Sequence, residues 1–356
     1  MRSAERSRRG RPAAWSVLAV FLLLAIVLYR LRGASFHWQL FAATLQHLAW
    51  GWLSLSILLM LLTYVARALR WEVMLRPLGR EVSLPQLISD TAIGFMAAVL
   101  LGRVGELVRP YLISVSAGVS FTSQMAAWFL ERVLDLLAVL LIFGFALASI
   151  PSHASTLGPG LRWVLGAGGY VAALLGSICV ALLVIFGKFP KQAEQRLSSA
   201  LAILPAKYYE HSNTVLRTAL EGLQSTGRPA LLGMLLLHTV LLWGLIAGGY
   251  YTLLRSFSTG VHFHTTDIVV LIGFVSLGSL FQIPGIGGGV QLVSIVVLTE
   301  MYGFSLEVAS GIAMILWVLT LVIIVPWGLA FAFHRGLNFS KIKHLAVDEL
   351  SSQENL

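Results

Sequence analysis

The sequence predicts an all-α polytopic membrane protein with about six full transmembrane helices plus two oppositely oriented re-entrant helical hairpins, related as an inverted repeat. Three observations predict it. Hydrophobic residues make up 57% of the 356 and charged residues only 12%, with mean hydropathy +0.83; a soluble domain carries roughly 25% charge. Arginine and lysine cluster at the ends of the apolar runs, as they do in the inside loops of membrane proteins. Two glycine-rich stretches, Leu101 to Pro110 and Ile283 to Gln291, interrupt apolar sequence where a span should continue. The net charge of +9 does not point to nucleic acid, because the basic residues sit where topology uses them. Cys179 is the only cysteine, so no intrachain disulfide frames the fold.

Residues 1–12 read as a basic cytoplasmic N-terminus carrying Arg2, Arg6, Arg8, Arg9 and Arg11, and residues 13–335 as a single integral membrane domain. The first span runs from Ala13 to about Leu28; no small-x-small cleavage site follows at once, so it reads as retained. The second runs from about Leu48 to Ala66 and ends in Arg67, Arg70, Arg76 and Arg80, an inside cluster. Counting parity decides the next segment. If Pro85 to Leu101 crossed alone, the stretch 188–228, with Lys188, Lys191, Arg196, Lys207, Arg217 and Arg228, would lie outside, against the charge bias. If the chain instead breaks at Gly102 and Gly105 and returns, the spans 128–150 and 163–186 bring that basic stretch inside.

The second half repeats the pattern. A span from about Leu231 to Leu254 exits, Ile268 to Ile283 enters, the chain breaks at Pro284 to Gly289, and Gln291 to Tyr302 returns. A last span from about Ala309 to Phe333 ends in His334, Arg335, Lys341 and Lys343, again basic. Gly94-Phe95 recurs as Gly273-Phe274, and Gly118-Val119-Ser120 as Gly303-Phe304-Ser305. Opposite entry sides make this an inverted repeat, an architecture that places broken helices and their ligand near the midplane. Residues 188–228 carry leucines at helical spacing between charges, the pattern of an amphipathic cytoplasmic linker on the inner leaflet. Residues 336–356 read as a short polar cytoplasmic tail.

The chemistry sits on the charged residues at membrane depth. A charge at the centre of a span costs about 2.5–3.5 kcal/mol, so Arg103, Glu106 and Arg109 at the first break must be paired or hydrated. Trp128, Glu131, Arg132 and Asp135 share one helical face. That polar stripe serves either as an ion network locking the span to the first hairpin or as the wall of a polar headgroup cavity; the two are compatible. At the second break, Pro284, Gly285, Gly287 and Gly288 form either an anion-binding nest of backbone N–H groups or a tight turn between packed helices. His262-Phe263-His264 with Asp267 is weak evidence for a metal site, His238 reads as a packing residue, and Gly244 with Gly248 as a helix-packing pair. No Gly-Lys-Ser/Thr ending is present, so no nucleotide cofactor is implied.

Arg67-Ala68-Leu69-Arg70-Trp71, Arg103-x-Gly105-Glu106-x-x-Arg109, Glu131-Arg132-x-x-Asp135 and Pro284-Gly285 with its glycines together resemble the flippase-like membrane family, best known as the transmembrane region of bacterial lysylphosphatidylglycerol synthases. The resemblance runs from about Arg67 to the last span. Two positions depart from the family's pattern: Leu101 stands where a proline is usual, and Gln291 where a glutamate is usual. The resemblance implies lipid translocation in a bacterial or archaeal cytoplasmic membrane, with both termini cytoplasmic and membrane lipids as partners. It implies a stand-alone member, since only a short tail follows the last span in this sequence, and a possible partnership with a lipid-modifying or glycosyltransferase enzyme. On that basis Arg67, Arg70, Arg103, Arg109 and Arg132 would hold phosphate, and Glu106, Glu131 and Asp135 would position them or meet a cationic headgroup. The rivals are a membrane-embedded transferase using one of these carboxylates as acid or base, and an accessory subunit of a lipid-modifying complex. Oligomeric state is not legible.

Overall fold

The computed structural model describes residues 36–149, 229–257, 263–279, 282–283 and 287–336, with isolated positions at 170, 174 and 176–177. The first span, most of the span 163–186, the linker 188–228 and the tail lie outside the described residues. The described chain is helical: α1 (Trp38–Gln46), α2 (Trp50–Leu75), α3 (Leu84–Leu101), α4 (Val108–Ala117), α5 (Phe121–Ser149), α6 (Pro229–Ser256), α7 (Thr265–Gly278), α8 (Gly289–Glu300) and α9 (Leu306–His334). A 3-10 turn over Gly102–Leu107 joins α3 to α4. A two-residue antiparallel pair, Gln282–Ile283 with Gly287–Gly288, lies between α7 and α8. By length and composition, α2, α3, α6 and α9 can each cross a membrane.

α3 nevertheless does not carry the chain to the far end. Gly102 ends it at φ +67°, ψ −141°, a conformation open to glycine and not to a residue with a side chain. The returning backbone then packs back onto α3. A Cβ on Gly105 would lie 2.7 Å from Ala98 N and on the Ala97 carbonyl; one on Gly94 would lie 2.9 Å from Arg109 Cα. The two feet of this hairpin touch, through Gln86 Nε2 to Ser116 Oγ (3.1 Å) and Ser116 Oγ to Asp90 Oδ2 (2.9 Å). Trp71 Nε1 donates to Gln124 Oε1 at 2.8 Å, so α2 ends and α5 begins at the same end of the bundle. Residues 84–117 therefore leave and return at one end.

The second hairpin, α7 and α8, does the same from the opposite end. α2 and α6 run antiparallel, fixed by Ala49 N to Ser256 O (2.8 Å), Ser56 Oγ to Gly249 O (2.8 Å) and Arg70 Nη1 to Thr239 Oγ1 (3.3 Å). Ser256 thus marks the end away from Trp71, and α7 begins just after it. Tyr302 Oη donates to Asp267 O at 3.0 Å, and the Phe263 ring packs on Tyr302 and Phe304, bringing the feet of this hairpin together. Gly278 is the contact glycine here, with Gly289 O 2.7 Å from where its Cβ would stand.

The two halves exchange partners. α2 packs on α6, α3 on α9, and α7 on α5. Each hairpin's first arm therefore lies on the long helix that follows the other hairpin, the reciprocal pattern a two-fold relation produces. The Gly-x-Ser repeat is one device used twice. Gly118 (φ +62°) and Gly303 (φ +67°) take the left-handed conformation that stops the return arm. Ser120 Oγ then accepts from Ser123 N (3.3 Å) and Ser305 Oγ from Val308 N (3.4 Å), each starting a 29-residue helix. These correspondences support the inverted repeat. The close approach of α2 to α6 falls on Gly248 and Gly249, which face Leu59 and Met60; Gly244 faces open space, so of the expected Gly244–Gly248 pair only Gly248 lies at the contact.

Candidate functional site

Three elements converge on one charge cluster. α2 carries Arg67, Arg70 and Trp71, three and four residues apart and hence on one face. α5 carries Glu131, Arg132 and Asp135 at the same spacing. The return arm α4 adds Arg109, seated against Gly94. Glu131 is fully buried at the centre. Arg70 Nη2 donates to its Oε1 at 2.6 Å, Arg109 bonds both of its oxygens, and Arg67 Nη1 stands 3.7 Å away. Asp135 takes Arg70 Nη1 at 2.7 Å, Arg67 Nη1 at 3.4 Å and Arg132 Nη2 at 3.6 Å.

Aromatic faces complete the enclosure. The Arg109 guanidinium lies 4.3 Å from the Trp71 ring centre and 4.9 Å from that of Phe95, and Arg67 lies 4.9 Å from Phe95 on its own account. Such rings shed water yet still attract a cation. The four arginines do not stand alike. Arg70 and Arg109 are buried and bonded at short range to the carboxylates; the Arg67 and Arg132 side chains are 15% and 38% exposed and sit at 3.4 Å or more. Arg132 Nε is enclosed and has no hydrogen-bond partner among the described residues. Four guanidiniums face two carboxylates, a surplus of two positive charges among the described residues. Arg132 lies ~16 Å along α5 from Phe121 at 1.5 Å per residue.

The family model for the lysylphosphatidylglycerol synthase TM region matches residues 14–328. The chain belongs to this family. No curated protein and no solved structure matches the chain. The matched span contains both hairpins, the whole cluster and all but the end of α9, and with the apolar helices makes the chain a multi-pass membrane protein.

The other residues expected at the site divide. Arg103 lies on the tip of the first hairpin, and its side chain is outside the described residues. Glu106 is half-buried on the same tip and makes no ion pair among the described residues. Gly105 lets the return arm lie against the Ala97 carbonyl. Pro284 and Gly285 lie outside the described residues. Gly287 and Gly288 pair with Ile283 and Gln282, and the Gly288 N–H donates to Gln291 Oε1 at 2.7 Å. That N–H of the expected nest is therefore occupied. Gln291 thus serves as the acceptor that closes the start of α8. His238 Nδ1 pairs with Met234 O at 2.7 Å, a satisfied packing histidine. Asp267 accepts from His264 N (2.8 Å), capping α7, and no metal-binding group of three His, Cys, Asp or Glu occurs among the described residues.

One polar lock escaped the sequence reading. Asp90, fully buried on α3, bonds Arg335 at the end of α9, whose Nη2 also donates to Gln86 O at 3.1 Å. Asp90 and Arg335 are 245 positions apart, and Arg335 had a sufficient explanation as an inside charge. Arg335→Gln is expected to lower stability by about 1.5–3 kcal/mol, the scale of a hydrogen bond to a charged group. Thermal unfolding in detergent checks it; an unchanged midpoint would make this contact superficial.

Proposed function

We propose that this chain is a lipid flippase or transporter of the cytoplasmic membrane, moving a phospholipid or lipid-linked glycolipid whose headgroup passes the arginine cluster between the two hairpins. Family membership gives the chain a membrane-lipid-related function. The single observation that carries the finer reading is Arg132. It is 38% exposed on α5, and Leu136, one turn further along the same helix, is 59% exposed and suits lipid tails. A guanidinium facing hydrocarbon is strongly disfavoured. Its exposure fits a polar route that a headgroup can enter, lined by Arg132 and Arg67. The hairpins, entering from opposite ends, would each dip part-way into the membrane and leave the cluster reachable in turn from either side.

Transbilayer movement of labelled phospholipids in liposomes holding the purified protein tests this. Arg132→Gln removes a loosely held side chain without unpairing Glu131. It is expected to reduce translocation at least about tenfold, a change of 1.4 kcal/mol in the barrier, with the thermal midpoint kept. Movement equal to that of the unaltered protein would assign the cluster to scaffolding. No movement by either protein would remove the transport reading itself.

A further inference from the structure

Resting on the transport reading, we infer that the cluster selects a lipid whose headgroup presents a terminal phosphate with two negative charges, a phosphomonoester or diphosphate, over one presenting a phosphodiester. The charges divide into a neutral part and a surplus. Arg70 and Arg109 are buried and hold the two carboxylates at close range, so they are engaged by the fold. Arg67 and Arg132 carry what remains, two positive charges.

Geometry puts both within reach of one ligand. Arg67 Nη1 and Arg132 Nη2 come within 3.4 and 3.6 Å of the same oxygen, Asp135 Oδ2, from opposite helices. A single phosphoryl group bridging them would meet both guanidiniums, and Arg132 Nε is a donor with no partner among the described residues. Guanidinium forks match phosphate oxygens in two-point contacts. The balance of charge then decides the class. Against the two surplus charges counted among the described residues, a phosphodiester leaves one uncompensated, a zwitterionic headgroup leaves two, and a terminal phosphate leaves none.

Among the described residues the other titratable groups on the packed elements do not alter the count. Glu72 on α2 pairs with Arg76, and Tyr64 on α2, Asp90, Glu106 and Tyr111 on the first hairpin, His238 on α6 and Asp267 on α7 form no ion pair with either guanidinium. Asp90 is committed to Arg335.

Lipid binding to the full-length protein in nanodiscs tests the inference, with phosphatidic acid, phosphatidylglycerol and phosphatidylcholine as probes at pH 8 and pH 5. Phosphatidic acid is expected to bind about tenfold more tightly than phosphatidylglycerol at pH 8. The gap should close at pH 5, where a phosphomonoester with a second pKa of about 6 has lost its second charge. The Arg67→Gln/Arg132→Gln protein is expected to lose the preference, and Arg132→Lys, which keeps the charge, to retain it. Equal, arginine-dependent binding of both anionic lipids at both pH values would overturn the inference and leave the transport reading standing. Binding of no phosphate lipid in an arginine-dependent way would overturn both. Glycerol 3-phosphate is expected to compete only weakly; if it matched phosphatidic acid, the site would read a soluble phosphate and not a lipid.

Discussion

Glu131→Ala is expected to destabilise the protein by about 3–5 kcal/mol, the cost of removing one partner from a buried ion pair and leaving the other without compensation. The effect is large because Glu131 has no exposure and anchors Arg70 from α2 and Arg109 from α4 at once. Removing it takes away the carboxylate Arg109 bonds and leaves Arg67, Arg70 and Arg132 around Asp135 alone. Thermal unfolding in detergent measures the loss, and Asp135→Ala, at a partly open site, should cost less. The Glu131→Ala/Arg109→Leu protein should recover part of the loss, since it also removes a buried cation. A single variant as stable as the unaltered protein would contradict the geometry of the cluster.

Gly94→Val is expected to cost about 1–3 kcal/mol or more, because it overfills a packed contact. Its Cβ would fall against Arg109 Cβ, with Arg109 Cα at 2.9 Å, so the obstacle is backbone and not the mobile end of a side chain. The hairpin must open, and Arg109 moves off Glu131. Stability and the charge cluster should therefore fail together, read as a lower unfolding midpoint and weaker arginine-dependent lipid binding. Gly51→Val, on α2 with nothing within 4 Å of its Cβ position, controls for the added side chain and should leave the midpoint nearly unchanged. Equal loss at both glycines would remove the contact argument.

Much of this was legible in sequence because it depends on local period and on parity. The helical spacing of Glu131, Arg132 and Asp135 placed them on one face, and they do share one cluster. The glycine breaks and the charge bias predicted chain reversals at opposite ends, and both reversals are present. Pairings across helices were not legible. Arg67 and Arg70 read alike, three residues apart in one basic run, yet Arg70 is buried on both carboxylates while Arg67 stays loosely held. Only the docking of α5 onto α2 separates them. The Asp90–Arg335 lock needed α3 to lie on α9, a consequence of the exchange between halves that no spacing within one segment encodes. At the second break, glycine count alone could not show that the Gly288 N–H is taken by Gln291.

Charge-restoring labelling tests directly whether a headgroup can reach Arg132. Cys179 is the only native cysteine, so Arg132→Cys in a Cys179→Ser protein presents one thiol. In sealed liposomes, a membrane-impermeant cationic methanethiosulfonate is expected to label position 132 from at least one side and to restore part of the translocation that Arg132→Cys loses. Phe145→Cys, on the outward apolar face, should stay unlabelled. A thiol at position 132 that reacts only after unfolding would contradict the account, because the cluster would then be closed to any headgroup.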